Sequence, residues 1–338
     1  MDLSPAARPG LLLALALSLT SFACPQDPAP APAPAPAPSA AAQAAERAPL
    51  APLAPPRRVY FLGHSLLSDV PDFVAHFAAA IGVPFEYREQ NIPGASLQWQ
   101  WQEAERAKAP GYQSGFNPPF GGAYFDELPK GTYDAVVLVD SVPRGGAALE
   151  SDSVEYLVRL TEMARKANPK VRVLFYEPWH CIHSGTAKGC EHDTSHPNSK
   201  LPWRERLAAD GLMWERIVAA ANAKLPEGAA PIEAIPMARA LGRLADAIEA
   251  GEVEGFRSWQ QLFADDIHLT HPGKFFAGLV TYTALYQRAP DRMPIAAKNR
   301  WGGSYWDHPN WQGEKWPAPS ANAARAMERV AAEVLQNP

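Results

Sequence analysis

The stretch Arg58-Val59-Tyr60-Phe61-Leu62-Gly63-His64-Ser65-Leu66 decides how the rest of the chain is read. Its first six residues form a short apolar run rich in β formers, and it ends in a glycine and a polar pair. A strand apolar along its length is buried on both faces, as in a parallel sheet covered by helices. Working outward, Asp134–Asp140 (DAVVLVD) and Val171–Glu177 (VRVLFYE) repeat the pattern, and Phe85–Glu89 and Pro231–Pro236 are shorter strand candidates. Segments of helical periodicity lie between them. Val70–Ile81 places Val70, Phe73, Val74, Phe77 and Ile81 on one stripe. Ser153–Ala167 does the same with Val154, Leu157, Leu160 and Met163. Trp203–Ala223 offers Leu207, Leu212, Trp214 and Ile217 to a core, and helices over Met237–Ala250 and Gly273–Gln287 follow. This alternation predicts an α/β fold: one three-layer α/β/α, flavodoxin-like domain with a central parallel sheet, over residues 57–290. Beyond it, residues 291–338 form a Trp-rich extension (Trp301, Trp306, Trp311, Trp316) and a terminal helix, Ala321–Gln336, packed on that domain. Ser320 is the expected N-cap of that helix, and Met327, Val330, Val334 and Leu335 are its apolar stripe.

The segment ahead of Arg57 is of a different kind. Leu11–Leu19 is an apolar run far short of the ~20 residues that span a bilayer, so it reads as the core of a signal peptide. It leads to Ser21-Phe22-Ala23-Cys24, where a small residue directly precedes a cysteine. That arrangement resembles a bacterial lipoprotein cleavage site, which implies a lipid on Cys24 and a signal peptide over residues 1–24. Thirteen of the chain's 35 prolines fall in these first 56 residues. Residues 25–56 are almost all Pro and Ala, with nothing to bury and few backbone donors, and read as an extended disordered tether. The expected location is therefore outside the cytoplasm, on the cell envelope, with the membrane met through the lipid anchor alone.

The chain has 338 residues, 47% of them hydrophobic and 20% charged, enough for a sizeable core. Its net charge of −5 argues against nucleic acid as a partner, because phosphate binding needs a basic stripe.

Two short segments carry chemistry. Ser65 follows the first strand, where ligands of an open parallel sheet bind. The free N–H groups that open the following helix favour developing negative charge there. Asp265-Asp266-Ile267-His268 precedes the last sheet-covering helix. An Asp three residues before a His can turn back to meet Nδ1, which leaves Nε2 to take a proton from a serine. The spacing favours Asp265 over Asp266 in that role.

Taken together, these blocks resemble the SGNH, or GDSL-like, hydrolase family. Gly63-His64-Ser65-Leu66 is similar to its G-[DN]-S-[LI] block, and Asp265–His268 with Leu269-Thr270-His271-Pro272-Gly273 to its DxxH block. The resemblance implies a catalytic set of Ser65, Asp265 and His268, with the Ser65 N–H in the oxyanion hole. Gly94, in Asn91-Ile92-Pro93-Gly94-Ala95-Ser96, takes the part of the oxyanion glycine. The family's GxND block has no counterpart: Val139-Asp140-Ser141-Val142-Pro143 lacks the Asn. Losing one oxyanion donor costs ~10²–10³ in rate unless something replaces it, and Ser141 and His180 are the candidates. VDSVP and Glu177-Pro178-Trp179-His180 also resemble TEAVP-like and ETWH-like segments of a bacterial subgroup. The implied function is ester hydrolysis by a serine mechanism, with a small acyl ester of a carbohydrate, such as an acetyl ester, as the favoured substrate. The alternative is a non-catalytic glycan- or ligand-binding surface lipoprotein on a degenerate hydrolase fold.

Cys181 and Cys190, in an exported chain, are expected to form a disulfide. They lie with His180, His183, His192, Asp193 and His196 in a segment that could also be read as a zinc site. It has neither a CxxC pair nor an HExxH motif, so no metal and no cofactor is expected. Trp99, Trp179 and His180 are candidate substrate contacts, since Trp faces stack on sugar rings.

Overall fold

The computed structural model describes residues 55–107, 121–142, 147–190, 196–310 and 313–336. The expected signal peptide, Cys24, nearly all of the tether, Trp311, His192 and Asp193 lie outside them.

Five strands form the sheet: β1 (Arg58–Gly63), β2 (Glu86–Asn91), β3 (Ala135–Val139), β4 (Arg172–Tyr176) and β5 (Glu233–Ile235). All pairings are parallel, in the order β2-β1-β3-β4-β5. This is the flavodoxin-like order, and its switch point lies between β1 and β3, the strands flanking the start of the Ser65 turn.

Eight helices accompany the described strands: α1 (Val70–Ala80), α2 (Leu97–Ala107), α3 (Tyr124–Glu127), α4 (Ala147–Ala167), α5 (Trp203–Lys224), α6 (Met237–Glu249), α7 (His271–Tyr286) and α8 (Ala321–Gln336). Alternate side chains of each strand point to opposite faces. Val59 and Phe61 of β1, Val137 and Val139 of β3, and Leu174 and Tyr176 of β4 pack with α1, α6, α7 and α8. Tyr60, Leu62, Val136, Leu138, Val173 and Phe175 pack on the other side, with α2, α4 and α5. The architecture is three layers, α/β/α, and both faces of the sheet are covered.

The strand and helix bounds differ from expectation by a few positions, most at α4, which begins at Ala147 rather than Ser153. Two helices fall outside the sequence expectation. α2 reads LQWQWQEAERA, a polar sequence whose buried positions nonetheless recur at helical spacing: Leu97, Gln100 and Ala104. Gln100 is tolerated inside because its amide donates to the Gly63 carbonyl and accepts from Gln90 Nε2 at 2.8 Å. α3 is a single turn held by Gln90, whose Oε1 accepts from the Tyr124 N–H at 3.0 Å. Leu212 corrects the expected core stripe of α5: it is 59% exposed, while Met213 and Trp214 turn inward.

The C-terminal segment is tied to the sheet's β2 side by buried charge. Arg300 pairs with Glu89 and, at 3.4 Å, with Asp72. Tyr305 donates to Asp72 Oδ2 at 2.6 Å, and Tyr87 donates to its other oxygen. Trp306 packs against Phe73 and Phe275, and its indole N–H donates to Ile295 O at 2.8 Å. Trp301 faces solvent, 74% exposed. Among the described residues, no helix is long and apolar enough to cross a membrane.

Candidate active site

The serine turn is built on a glycine that cannot be replaced without movement. A Cβ at Gly63 would lie 2.2 Å from Val139 Cγ1, so β1 and β3 approach closely just where β1 ends. His64 then turns inward. Its Nε2–H donates to the Asp140 carbonyl at 2.8 Å, and its Nδ1 accepts from the Leu66 N–H at 3.4 Å. That second bond makes His64 the N-cap of the single 3-10 turn Ser65–Leu67. Leu66 and Leu67 are buried, whereas Ser65 is half-buried.

Asp265 and His268 sit on a tight hairpin. Phe263 and Leu269 bridge in antiparallel fashion, and Ala264 N–H donates to His268 O at 2.8 Å. Within the hairpin tip, Asp265 Oδ1 accepts from the N–H groups of Ile267 (2.9 Å) and His268 (2.7 Å). Its Oδ2 lies 2.8 Å from His268 Nδ1. A carboxylate only accepts, so Nδ1 carries the proton and Nε2 is the free base. Nε2 accepts from the Ser65 hydroxyl at 2.9 Å. Burial by itself would raise the Asp265 pKa, but the two backbone N–H donors and the His268 ring outweigh it and hold the carboxyl below its ordinary value. The hairpin and the serine turn therefore bring a carboxylate, an oriented imidazole and a hydroxyl into series. Such a series can move a proton off a serine and hold the imidazolium that results.

Asp266, the neighbouring carboxylate, turns away from His268. Its Oδ1 accepts from Lys188 Nζ at 2.7 Å and pairs with His183 Nε2 at 3.0 Å. Both partners belong to the loop closed by the Cys181–Cys190 disulfide, whose Cα atoms are 5.8 Å apart.

The expected oxyanion and substrate residues divide. Gly94 follows β2 at the same edge of the sheet, in a turn where its φ of +70° falls in the left-handed region that glycine adopts without strain. Ser141 follows β3, and its N–H donates to the Asp140 side chain at 2.7 Å. Its hydroxyl oxygen is buried and makes no hydrogen bond among the described residues. Trp99, in the first turn of α2, is 40% exposed.

His180 and Trp179 require correction. Both are fully buried. His180 Nδ1 lies 2.9 Å from Asp210 Oδ2, and Arg206 Nε holds the same oxygen from 3.1 Å. His180 is thus enclosed with Asp210 and Arg206 inside the fold and is not exposed at the surface. Trp179 donates its indole N–H to Ile267 O at 2.8 Å, so it props the hairpin that carries Asp265 and His268. Sequence periodicity gives no sign of this, because both contacts join segments far apart in the chain.

Several of the described candidate metal ligands have other partners. The two cysteines are bonded to each other, and His196 Nδ1 accepts from the Asn198 N–H at 3.0 Å. Among the described residues, no group of three His, Cys, Asp or Glu side chains is placed to hold a metal ion.

The residue that sequence reasoning missed is His64 as a structural clamp. Its identity is visible as the departure from the usual Asp or Asn before the serine, but its bond to Asp140 depends on the β1–β3 pairing. The strand order is that of a doubly wound, three-layer α/β/α fold, with Ser65 directly after β1 and the Asp265–His268 hairpin directly before α7.

No family model matches the chain, and no curated protein matches it. Among solved structures it is similar to a carbohydrate esterase family 3 protein from Talaromyces cellulolyticus, at 13% identity and a TM-score of 0.41, covering 68% of this chain and 97% of that one. It is also similar to the periplasmic domain of a lipopolysaccharide acetyltransferase from Salmonella ser. Paratyphi A, at 14% identity and a TM-score of 0.38, covering 67% and 82%. A third is phospholipase A1 from Streptomyces albidoflavus, at 12% identity and a TM-score of 0.35, covering 69% of this chain and 100% of that one.

Proposed function

We propose that this chain is a serine esterase of the cell envelope. The observation that carries the reading is the continuous relay Asp265 Oδ2–His268 Nδ1 (2.8 Å) and His268 Nε2–Ser65 Oγ (2.9 Å), with serine and histidine 203 positions apart in the chain. In this reading His268 takes the Ser65 proton as Oγ attacks the acyl carbonyl. The Ser65 and Gly94 N–H groups hold the oxyanion. The Ser141 hydroxyl supplies the donor that the absent Asn would provide, since β3 runs beside β1 and Ser141 follows its end. His268 next protonates the leaving alcohol, water adds to the acyl-enzyme with His268 as base, and the acid departs. Asp265 remains ionised throughout and fixes the imidazole tautomer.

The favoured substrate is a small acyl group, such as acetyl, on a carbohydrate, with exposed Trp99 as the sugar-stacking face. The lipid on Cys24 and the Pro/Ala tether would keep the enzyme on an envelope membrane. The test is hydrolysis of p-nitrophenyl acetate and of acetylated polysaccharides by the protein and its Ser65→Ala variant. The reading expects turnover that the substitution abolishes. Equal turnover in both proteins would remove Ser65 as the nucleophile. Fatty-acid labelling of the expressed chain, lost in Cys24→Ser, tests the anchor.

A further inference from the structure

The hairpin that carries Asp265 and His268 is gripped from outside by one short segment, residues 179–190. Two grips are on backbone carbonyls of the hairpin itself: Ile182 N–H donates to Asp266 O at 2.8 Å, and Trp179 Nε1–H donates to Ile267 O at 2.8 Å. Two more are on the Asp266 side chain, from Lys188 at 2.7 Å and His183 at 3.0 Å. These four contacts fall on the two residues lying between the catalytic acid and base. His183 and Lys188 stand inside the ring that Cys181–Cys190 closes, at a sequence separation of 9. The ring's own base is fixed: His180 is tied to Asp210, and Ser184 accepts from Arg206 at 3.1 Å and donates to Leu201 O at 3.0 Å.

We infer that Asp266 is a positioning residue for the catalytic pair, and that the disulfide-closed ring is the clamp that holds it. An exposed ion pair by itself contributes little, because two long side chains give up freedom to meet in water. Here the covalent closure restricts the segment that presents His183 and Lys188 before either meets Asp266, and the carboxylate is seated by both at once. Its own carbonyl is held by the Ile182 N–H, and the carbonyl of the next residue, Ile267, by the Trp179 indole N–H. The consequence falls on the relay: a rotation of the hairpin tip moves His268 Nε2 away from Ser65, and small misplacements of a catalytic group carry large rate penalties. The Asp266 side chain is directed at the ring and not at Asp265 or His268, so it acts through them. This inference rests on the hydrolase reading above.

The test uses the full chain and p-nitrophenyl acetate. Asp266→Ala and the double variant Cys181→Ser/Cys190→Ser are compared with the unaltered protein and with Asp266→Asn, each followed by thermal melting. The expected result is a kcat about tenfold lower in the first two, with KM unchanged within about twofold. Asp266→Asn, whose side-chain oxygen still accepts from Lys188, is expected to recover most of the rate. Unaltered kcat in Asp266→Ala overturns the inference, as does a loss that Asp266→Asn shares in full. If the double-cysteine variant does not fold, the Asp266 pair alone decides. Ser65→Ala, assayed alongside, separates the two levels: full activity there removes the hydrolase reading, whereas an inactive Ser65→Ala beside a fully active Asp266→Ala removes only the clamp.

Discussion

His64 donates from Nε2 to the carbonyl oxygen of Asp140 at 2.8 Å, joining the carboxyl ends of β1 and β3 at the residue before Ser65. The ring uses both nitrogens, since Nδ1 caps the turn that presents the serine. His64→Ala would leave the Asp140 carbonyl without this buried donor and open a void beside it. The expected loss is about 1–3 kcal/mol for the unmet acceptor, with more for the void. Chemical denaturation measures it. kcat should fall with it, because the Ser65 turn loses its cap, and His64→Asn should retain more of both by keeping an acceptor for the Leu66 N–H.

Asp265→Asn separates folding from chemistry. The amide oxygen can still accept from the Ile267 and His268 N–H groups, so the hairpin tip keeps its turn. The amide nitrogen then faces Nδ1 as a donor and drives the proton to Nε2, the wrong tautomer for accepting from Ser65. A drop in kcat of about 10⁴ is expected. The melting temperature should move by only a few degrees. A loss of rate that merely tracks a loss of fold would contradict this account.

Carboxyls shifted by the fold set two opposing pH slopes. Burial alone would raise Asp265, Asp210 and Asp69, but each is held below its usual value. The His268 and Ile267 N–H groups do this for Asp265, His180 and Arg206 for Asp210, and Lys274 for Asp69. A carboxyl lowered in the folded state stabilises above its unfolded pKa, and that contribution is lost as pH falls through the folded value. Glu177 behaves in the opposite sense: burial pushes it from 4.5 up to about 7 in spite of Arg239 beside it. Between those values the folded chain binds more protons than the unfolded one, so stability falls as pH rises through that window. Denaturation across this range should show the decline, and Glu177→Gln should flatten it while leaving the acid limb in place.

Arg300→Met tests the tie between the C-terminal segment and the sheet. It leaves Asp72 and Glu89 buried beside each other's charge without the guanidinium between them. Breaking a buried pair from one side costs about 3–5 kcal/mol. Tyr305→Phe removes only one donor to Asp72 and should cost about 1.5–3 kcal/mol, the range for a hydrogen bond to a charged group. The midpoint of urea unfolding reads both, and the larger effect is expected at Arg300.

The parts of this protein legible in its sequence are those governed by local pattern. RVYFLG, AVVLV and RVLFY announce parallel strands because burial on both faces demands an apolar residue at nearly every position. Asp265 and His268 are close neighbours in the chain, so their contact is a property of one turn, and the spacing alone favours Asp265 over Asp266. α2 is hidden because its core-facing stripe includes Gln100, an amide acceptable inside only through partners on β1 and β2. Trp179 and His180 look like substrate contacts because aromatic and imidazole side chains after a strand are chemically suited to it. Their partners, Ile267 O and Asp210, come from the Asp265–His268 hairpin and from α5, and no local pattern pairs them. The same holds for Arg300, whose acidic partners Asp72 and Glu89 stand 228 and 211 positions earlier. Periodicity and spacing decide what a segment can form by itself. Which buried polar group meets which is decided by the tertiary structure, because only the packed layers bring donors and acceptors from distant segments within reach and shut water out.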